Sequence, residues 1–166
     1  MQDNRVVDVT IHKAGLSLGL ERTIQAPRAV VWRCWTDPDL FKRWYCPAPW
    51  TVPEADLDVR PGGRFNCVMA GPDGERFETV GCYLDVVDGA RLVFTDAYSE
   101  GFMPRPESFM TGVVELADAG ANDTRMIWTA RHACQDDVAK HLEMGFEQGW
   151  PAAAEQLNAL AAEIAP

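Results

Sequence analysis

The sequence predicts an α+β protein: a curved antiparallel sheet of about seven strands wrapped around a long C-terminal helix, with two short helices after strand one. Three observations carry that expectation. Apolar and polar residues alternate through the middle of the chain, helical spacing interrupts the alternation near residue 30, and helical spacing returns after residue 135. With 166 residues, 47% of them hydrophobic, the chain can bury one core and is short for two.

Residues 1–15 read as an N-terminal arm or strand extension in which Val7, Val9 and Ile11 alternate until Gly15, and residues 16–166 read as a single domain. Leu16, Leu18, Leu20, Arg22 and Ile24 alternate as strand one, which Pro27 ends because it has no amide for a ladder and suits the first turn of a helix. Val30, Val31, Cys34 and Trp35 then fall at helical spacing. Asp37 caps a second helix with Pro38 at its first position, and that helix carries Leu40, Phe41 and Trp44 before Pro47 stops it.

Period-two patterning follows in Ala55, Leu57 and Val59, and in Phe65, Cys67 and Met69 across the turn Arg60-Pro61-Gly62-Gly63. Gly71-Pro72-Asp73-Gly74 marks the next hairpin, and further strands are expected over residues 76–87, 90–97, 109–116 and 124–133. Val138, Leu142, Phe146, Trp150, Ala153, Leu157, Leu160 and Ile164 lie on one face of a final helix, which Pro151 should kink. Asp136 and Asp137 read as its cap.

Charge and cysteine content narrow the function classes. Twenty-five acidic side chains against 15 basic ones give a net charge of -10, which repels phosphate backbones and argues against a nucleic-acid partner. The five cysteines are odd in number and form no Cys-x-x-Cys pair, so reduced thiols in a cytoplasmic protein are expected. The opening residues lack an apolar run behind a basic start, so no secretory signal is expected, and no apolar run is long enough to suggest membrane insertion.

Several spaced pieces resemble a known group. They are Arg22-x-Ile24-x-Ala26-Pro27 leading to Val31-Trp32, Thr36-Asp37-Pro38, Asp58-Val59-Arg60-Pro61-Gly62-Gly63-x-Phe65, Gly81-x-Tyr83, Arg91-Leu92-Val93-Phe94-Thr95, and Gly149-Trp150. In this order they resemble the START-like, or SRPBCC, superfamily with the helix-grip fold, and within it the family named for the activator of the heat-shock-protein-90 ATPase. The resemblance implies a pocket for a small apolar or amphipathic molecule. The eukaryotic namesake engages its chaperone with the help of a separate domain, so a chaperone partner is implied only distantly; a homodimer is also open.

Strand phase suggests which residues face the final helix. The expected pocket residues are Trp44, Trp50, Phe65, Cys67, Cys82, Phe94, Met110, Met126, Trp128, Leu142, Phe146 and Trp150, with the two tryptophans Trp44 and Trp50 at the mouth. Val80, Leu84, Leu92 and Val114 share the same counted phase. Glu78, Asp96 and His132 are the ionisable groups on that phase, and an inward carboxylate or imidazole can orient a ligand or move a proton. His132, Cys134 and His141 match no common zinc spacing, so neither a metal nor a cofactor is expected. No nucleophile-base pair is legible. The expectation is therefore ligand binding in a cavity between sheet and helix. The alternatives are a cyclase- or hydrolase-like enzyme using the inward acids or histidine, and an interaction module of co-chaperone type.

Overall fold

The computed structural model describes residues 9–166, so residues 1–8 of the expected arm, Val7 included, lie outside the described part. The chain forms β1 (Val9–Ala14), β2 (Ser17–Ile24), α1 (Arg28–Thr36), α2 (Pro38–Phe41), β3 (Thr51–Leu57), β4 (Phe65–Ala70) and β5 (Arg76–Thr79). It continues with β6 (Cys82–Val87), β7 (Arg91–Thr95), a flap made of β8 (Tyr98–Ser99), a 3-10 turn and β9 (Met103–Pro104), then β10 (Thr111–Asp118) and β11 (Thr124–Arg131). Helices α3 (Gln135–Glu143) and α4 (Phe146–Ile164) end it.

A six-stranded antiparallel sheet runs in the order β1-β2-β11-β10-β7-β6, and a three-stranded sheet in the order β3-β4-β5. An isolated bridge between Arg64 and Cys82 joins them. Register explains the core. Leu20, Trp128, Val114 and Leu92 face one another across four strands, and in a pleated sheet directly opposed residues share a face. That row packs on α1 through Trp35 and on α4 through Ala154, Leu157 and Ala161, all of which are buried. Each large side chain buried this way contributes roughly 1.5–3 kcal/mol. Asp37 does cap α2, its carboxylate accepting from the Asp39 amide at 2.9 Å.

The structure divides two elements that periodicity joins. Residues 76–87 are two strands, because β5 pairs with β4 whereas β6 pairs with β7. The chain turns at Gly81, whose carbonyl accepts from the Phe65 amide at 3.0 Å and whose amide donates to the Asn66 side chain at 3.2 Å. A Cβ there would collide with the Thr95 carbonyl oxygen, so the corner requires glycine.

The expected C-terminal helix is also two helices, and the break lies at Gly145 rather than Pro151. Gly145 takes φ 94°, its amide closes α3 on the Leu142 carbonyl at 3.0 Å, and its carbonyl opens α4 by accepting from Gly149 at 2.7 Å. Only glycine adopts that backbone without strain. α4 continues through Pro151. Asp136 and Asp137 lie inside the first turn of α3, where they favour the helix dipole, while Cys134 holds the cap position.

Candidate functional site

A cavity of about 650 Å³ opens between the curved sheet and α4. Its sheet wall consists of Phe65 and Met69 from β4, Phe77 and Thr79 from β5, Phe94 from β7 and Trp128 from β11. Its helix wall is Phe146, Gly149, Trp150 and Ala153. The segment between α2 and β3 adds Tyr45, Cys46, Pro47 and Trp50. The remaining end is built from Asp96, Phe109, Met110, His141 and Met144.

Aromatic stacking orders the sheet wall and joins it to the helix wall. Phe65 stacks on Phe94 with centroids 4.1 Å apart at 12°, and Trp128 stacks on Trp150 at 4.0 Å and 20°, tying sheet to helix. At the rim Trp50 stacks on Phe77 at 5.8 Å. Gln156 of α4 holds the loop wall through its side-chain amide. Gln156 donates to the carbonyls of Trp44 at 2.9 Å and Cys46 at 2.7 Å, and its own carbonyl accepts from the Ala48 amide at 2.8 Å.

The polar end has a defined hydrogen-bond order. Both Asp96 oxygens accept from the Phe109 amide at 2.9 Å, and one also accepts from the Met110 amide at 3.2 Å, so this carboxylate organises the chain leading into β10. The Phe109 carbonyl lies 2.8 Å from His132 Nδ1, and His132 Nε2 lies 3.0 Å from His141 Nδ1. A carbonyl can only accept, so His132 Nδ1 carries a proton. Burial lowers the His141 pKa to about 4, and the neighbouring His132 adds to the effect. Burial also raises the Tyr45 phenol well above its ordinary range, with smaller contributions from Cys67, Cys46 and Tyr83.

Of the residues singled out from sequence, Trp50, Phe65, Phe94, Met110, Trp128, Phe146 and Trp150 lie around this cavity. Trp44 does not line it. Its ring is fully buried in the core, edge-on to Trp35 at 4.6 Å with Nε1 donating to the Cys34 carbonyl at 2.8 Å, and the adjacent Tyr45 faces the cavity instead. Cys67 shares the inward face of its partner Thr79 but is buried there without lining the cavity, and Met126 is buried between Leu116 and Arg22. Leu142 packs on the small cluster of Leu18, Val138 and Phe146. Cys82 pairs with Thr95 and is buried near the flap, where its thiol meets the Phe102 backbone.

The candidate acids also separate. Glu78 borders the cavity, but it pairs with Val68 and so alternates with the inward Phe77 and Thr79; the corner at Gly81 is what upsets a phase counted through residue 87. The same corner and a bulge between Tyr83 and Asp85 displace Val80 and Leu84 from the wall. His132 stands behind the lining, with His141 in front of it. Sequence phase missed Tyr45, Phe77, Phe109, His141 and Met144 because they sit in a turn, on a misphased strand, in a loop, and at the end of α3. The spacing of nine between His132 and His141, with a cap between them, was the available signal for their contact.

The family model for Activator of Hsp90 ATPase homolog 1-like proteins matches residues 25–162. The chain belongs to this family. The matched span contains every residue that lines the cavity. A crystal structure of a Nitrosomonas europaea protein is 38% identical, covers 92% of this chain and 97% of its own, and superposes with a TM-score of 0.87. A Mycobacterium smegmatis protein is 27% identical over 93% of this chain and 96% of its own, with a TM-score of 0.76. An Arthrobacter aurescens protein solved by NMR is 27% identical over 93% and 91%, with a TM-score of 0.78. No curated relative matches the chain. The helix-grip architecture expected from sequence is thus the architecture of this family member. No helix among the described residues is long and apolar enough to cross a membrane.

Proposed function

We propose that this family member binds a small hydrophobic or amphipathic molecule in the cavity between its sheet and α4. The supporting observation is a volume of about 650 Å³ walled mainly by aromatic and other apolar side chains, a size typical of ligand sites, which run from roughly 300 to 1,000 Å³. Apolar surface lining an open void gains from any apolar occupant that displaces water. Gly149 suits this role by leaving the helix wall bare: a Cβ there would meet only the Pro47 ring, at 3.7 Å. The five unpaired cysteines fit a reducing, cytoplasmic setting.

The test uses Nile red, a neutral dye whose emission rises in apolar surroundings. Wild-type protein is expected to take up about one dye per chain, and Gly149→Leu, which extends a side chain from the helix wall, to lose most of that uptake while keeping its circular dichroism spectrum. Native mass spectrometry of freshly purified protein supplies an independent reading of occupancy. Uptake that is absent in wild type, or unaffected by the plugging variant, would defeat the proposal.

A further inference from the structure

The acceptor and donor order at the polar end of the cavity narrows the occupant, an inference that rests on the ligand-binding reading above. His132 Nδ1–H is fixed by the Phe109 carbonyl at 2.8 Å. In a neutral imidazole the other nitrogen then bears a lone pair, so His132 Nε2 accepts across the 3.0 Å contact and His141 Nδ1–H donates. The same rule leaves His141 Nε2 without a proton. That nitrogen has no partner among the described residues and is not among the enclosed unpartnered atoms, and its ring lines the cavity.

We infer that His141 Nε2 is a fixed hydrogen-bond acceptor within the cavity, so that the site selects a neutral aromatic ligand bearing an N–H or O–H donor over its isostere lacking one. Three features agree. The His141 ring is held edge-on by Phe109, Phe146 and Trp150 at centroid distances of 5.3, 5.1 and 5.4 Å, an arrangement that fixes its direction. Burial keeps the ring neutral. No lysine or arginine lines the cavity, while Asp96 does, so an anionic ligand would lack a counter-charge and meet an acid. Asp96 is already committed to two backbone amides, which leaves His141 as the open acceptor on that side.

The test compares carbazole, whose ring nitrogen only donates, with dibenzofuran, its near-isostere without a donor, as competitors for bound Nile red at pH 7.5. One neutral hydrogen bond is worth about 0.5–1.5 kcal/mol, so wild type is expected to prefer carbazole by about 2- to 13-fold. In His141→Phe the preference should fall to about 1, with dibenzofuran affinity retained. His132→Phe, which removes the group that sets the tautomer, should reduce the preference without emptying the cavity. A long-range proton–nitrogen NMR spectrum of wild type reads the tautomer directly, whatever the stability of the variants. It should show His141 Nε2 unprotonated and shifting when carbazole is added. Equal affinities in wild type, no displacement of bound dye by carbazole, or a protonated Nε2 each overturns the inference and leaves the ligand-binding reading standing. Absence of dye uptake in wild type overturns both.

Discussion

His141 is a base held neutral by its surroundings, and that has a price in acid. Its folded pKa of about 4 lies below the ordinary imidazole value of 6.5, through burial first and the neighbouring His132 second. Between those values the unfolded chain takes up a proton that the folded chain refuses. Stability is therefore full above about pH 6.5 and falls as pH drops toward 4, by an amount on the order of 1–3 kcal/mol. Urea unfolding at pH 7.5, 6 and 5 should show this slope, and His141→Phe should flatten part of it; parallel profiles would show that His141 does not titrate in this way. The cysteines show the same burial effect with the opposite sign. Cys34, Cys46 and Cys67 are pushed up to about 11, 12 and 11, Cys82 is also raised, and Cys134 alone is exposed. Thiolates are the reactive form. Iodoacetamide at pH 8 should therefore label one cysteine in native protein and all five after denaturation, as counted by intact mass.

At the scale of elements, the division between α3 and α4 separates two glycines by their backbone. Gly145 has φ 94°, a region in which a Cβ is strained, whereas Gly149 sits inside α4 with ordinary contact room. Gly145→Ala should lower unfolding free energy by about 1–2 kcal/mol, and Gly149→Ala should raise it by up to about 1 kcal/mol. Guanidinium unfolding of the two variants checks the signs; a loss at both positions would mean that Gly149 is held by packing rather than by the need for an open wall. The ends of elements were legible where a local rule decides them. Asp37 caps α2 and Pro27 precedes α1 because capping and proline geometry depend on a few neighbouring residues. The break at Gly145 was hidden because the apolar stripe continues across it, from Val138 through Phe146 to Leu157. Glycine is permitted in a helix and merely weakens it, so Gly145 could be read as a stop only with knowledge of where the two faces must turn.

Across the whole molecule, the α+β class, the order of elements and the covering role of the last helix were readable from periodicity, because an amphipathic face must find another to bury. The inward rows of β10 and β11 followed from the same alternation, since those strands pair without interruption from Thr111 opposite Arg131 to Asp118 opposite Thr124. The sheet wall made by Phe65, Phe94 and Trp128 also lies on regular strands, β4, β7 and β11. The cavity's polar end does not. Asp96, Phe109, His132 and His141 come from a strand exit, a loop, another strand exit and a helix, and the order of their hydrogen bonds exists only where these meet. Trp44 and Tyr45 show the limit at its smallest: one residue separates a ring sealed in the core from one lining the cavity, and no local pattern in a short turn fixes which is which. Sequence alone determined the container, because burial of periodic apolar faces is a local pattern with one global solution. Tertiary structure alone decided which polar groups meet at the cavity's end, because a hydrogen-bond relay depends on the distances between groups that the chain brings together from far apart.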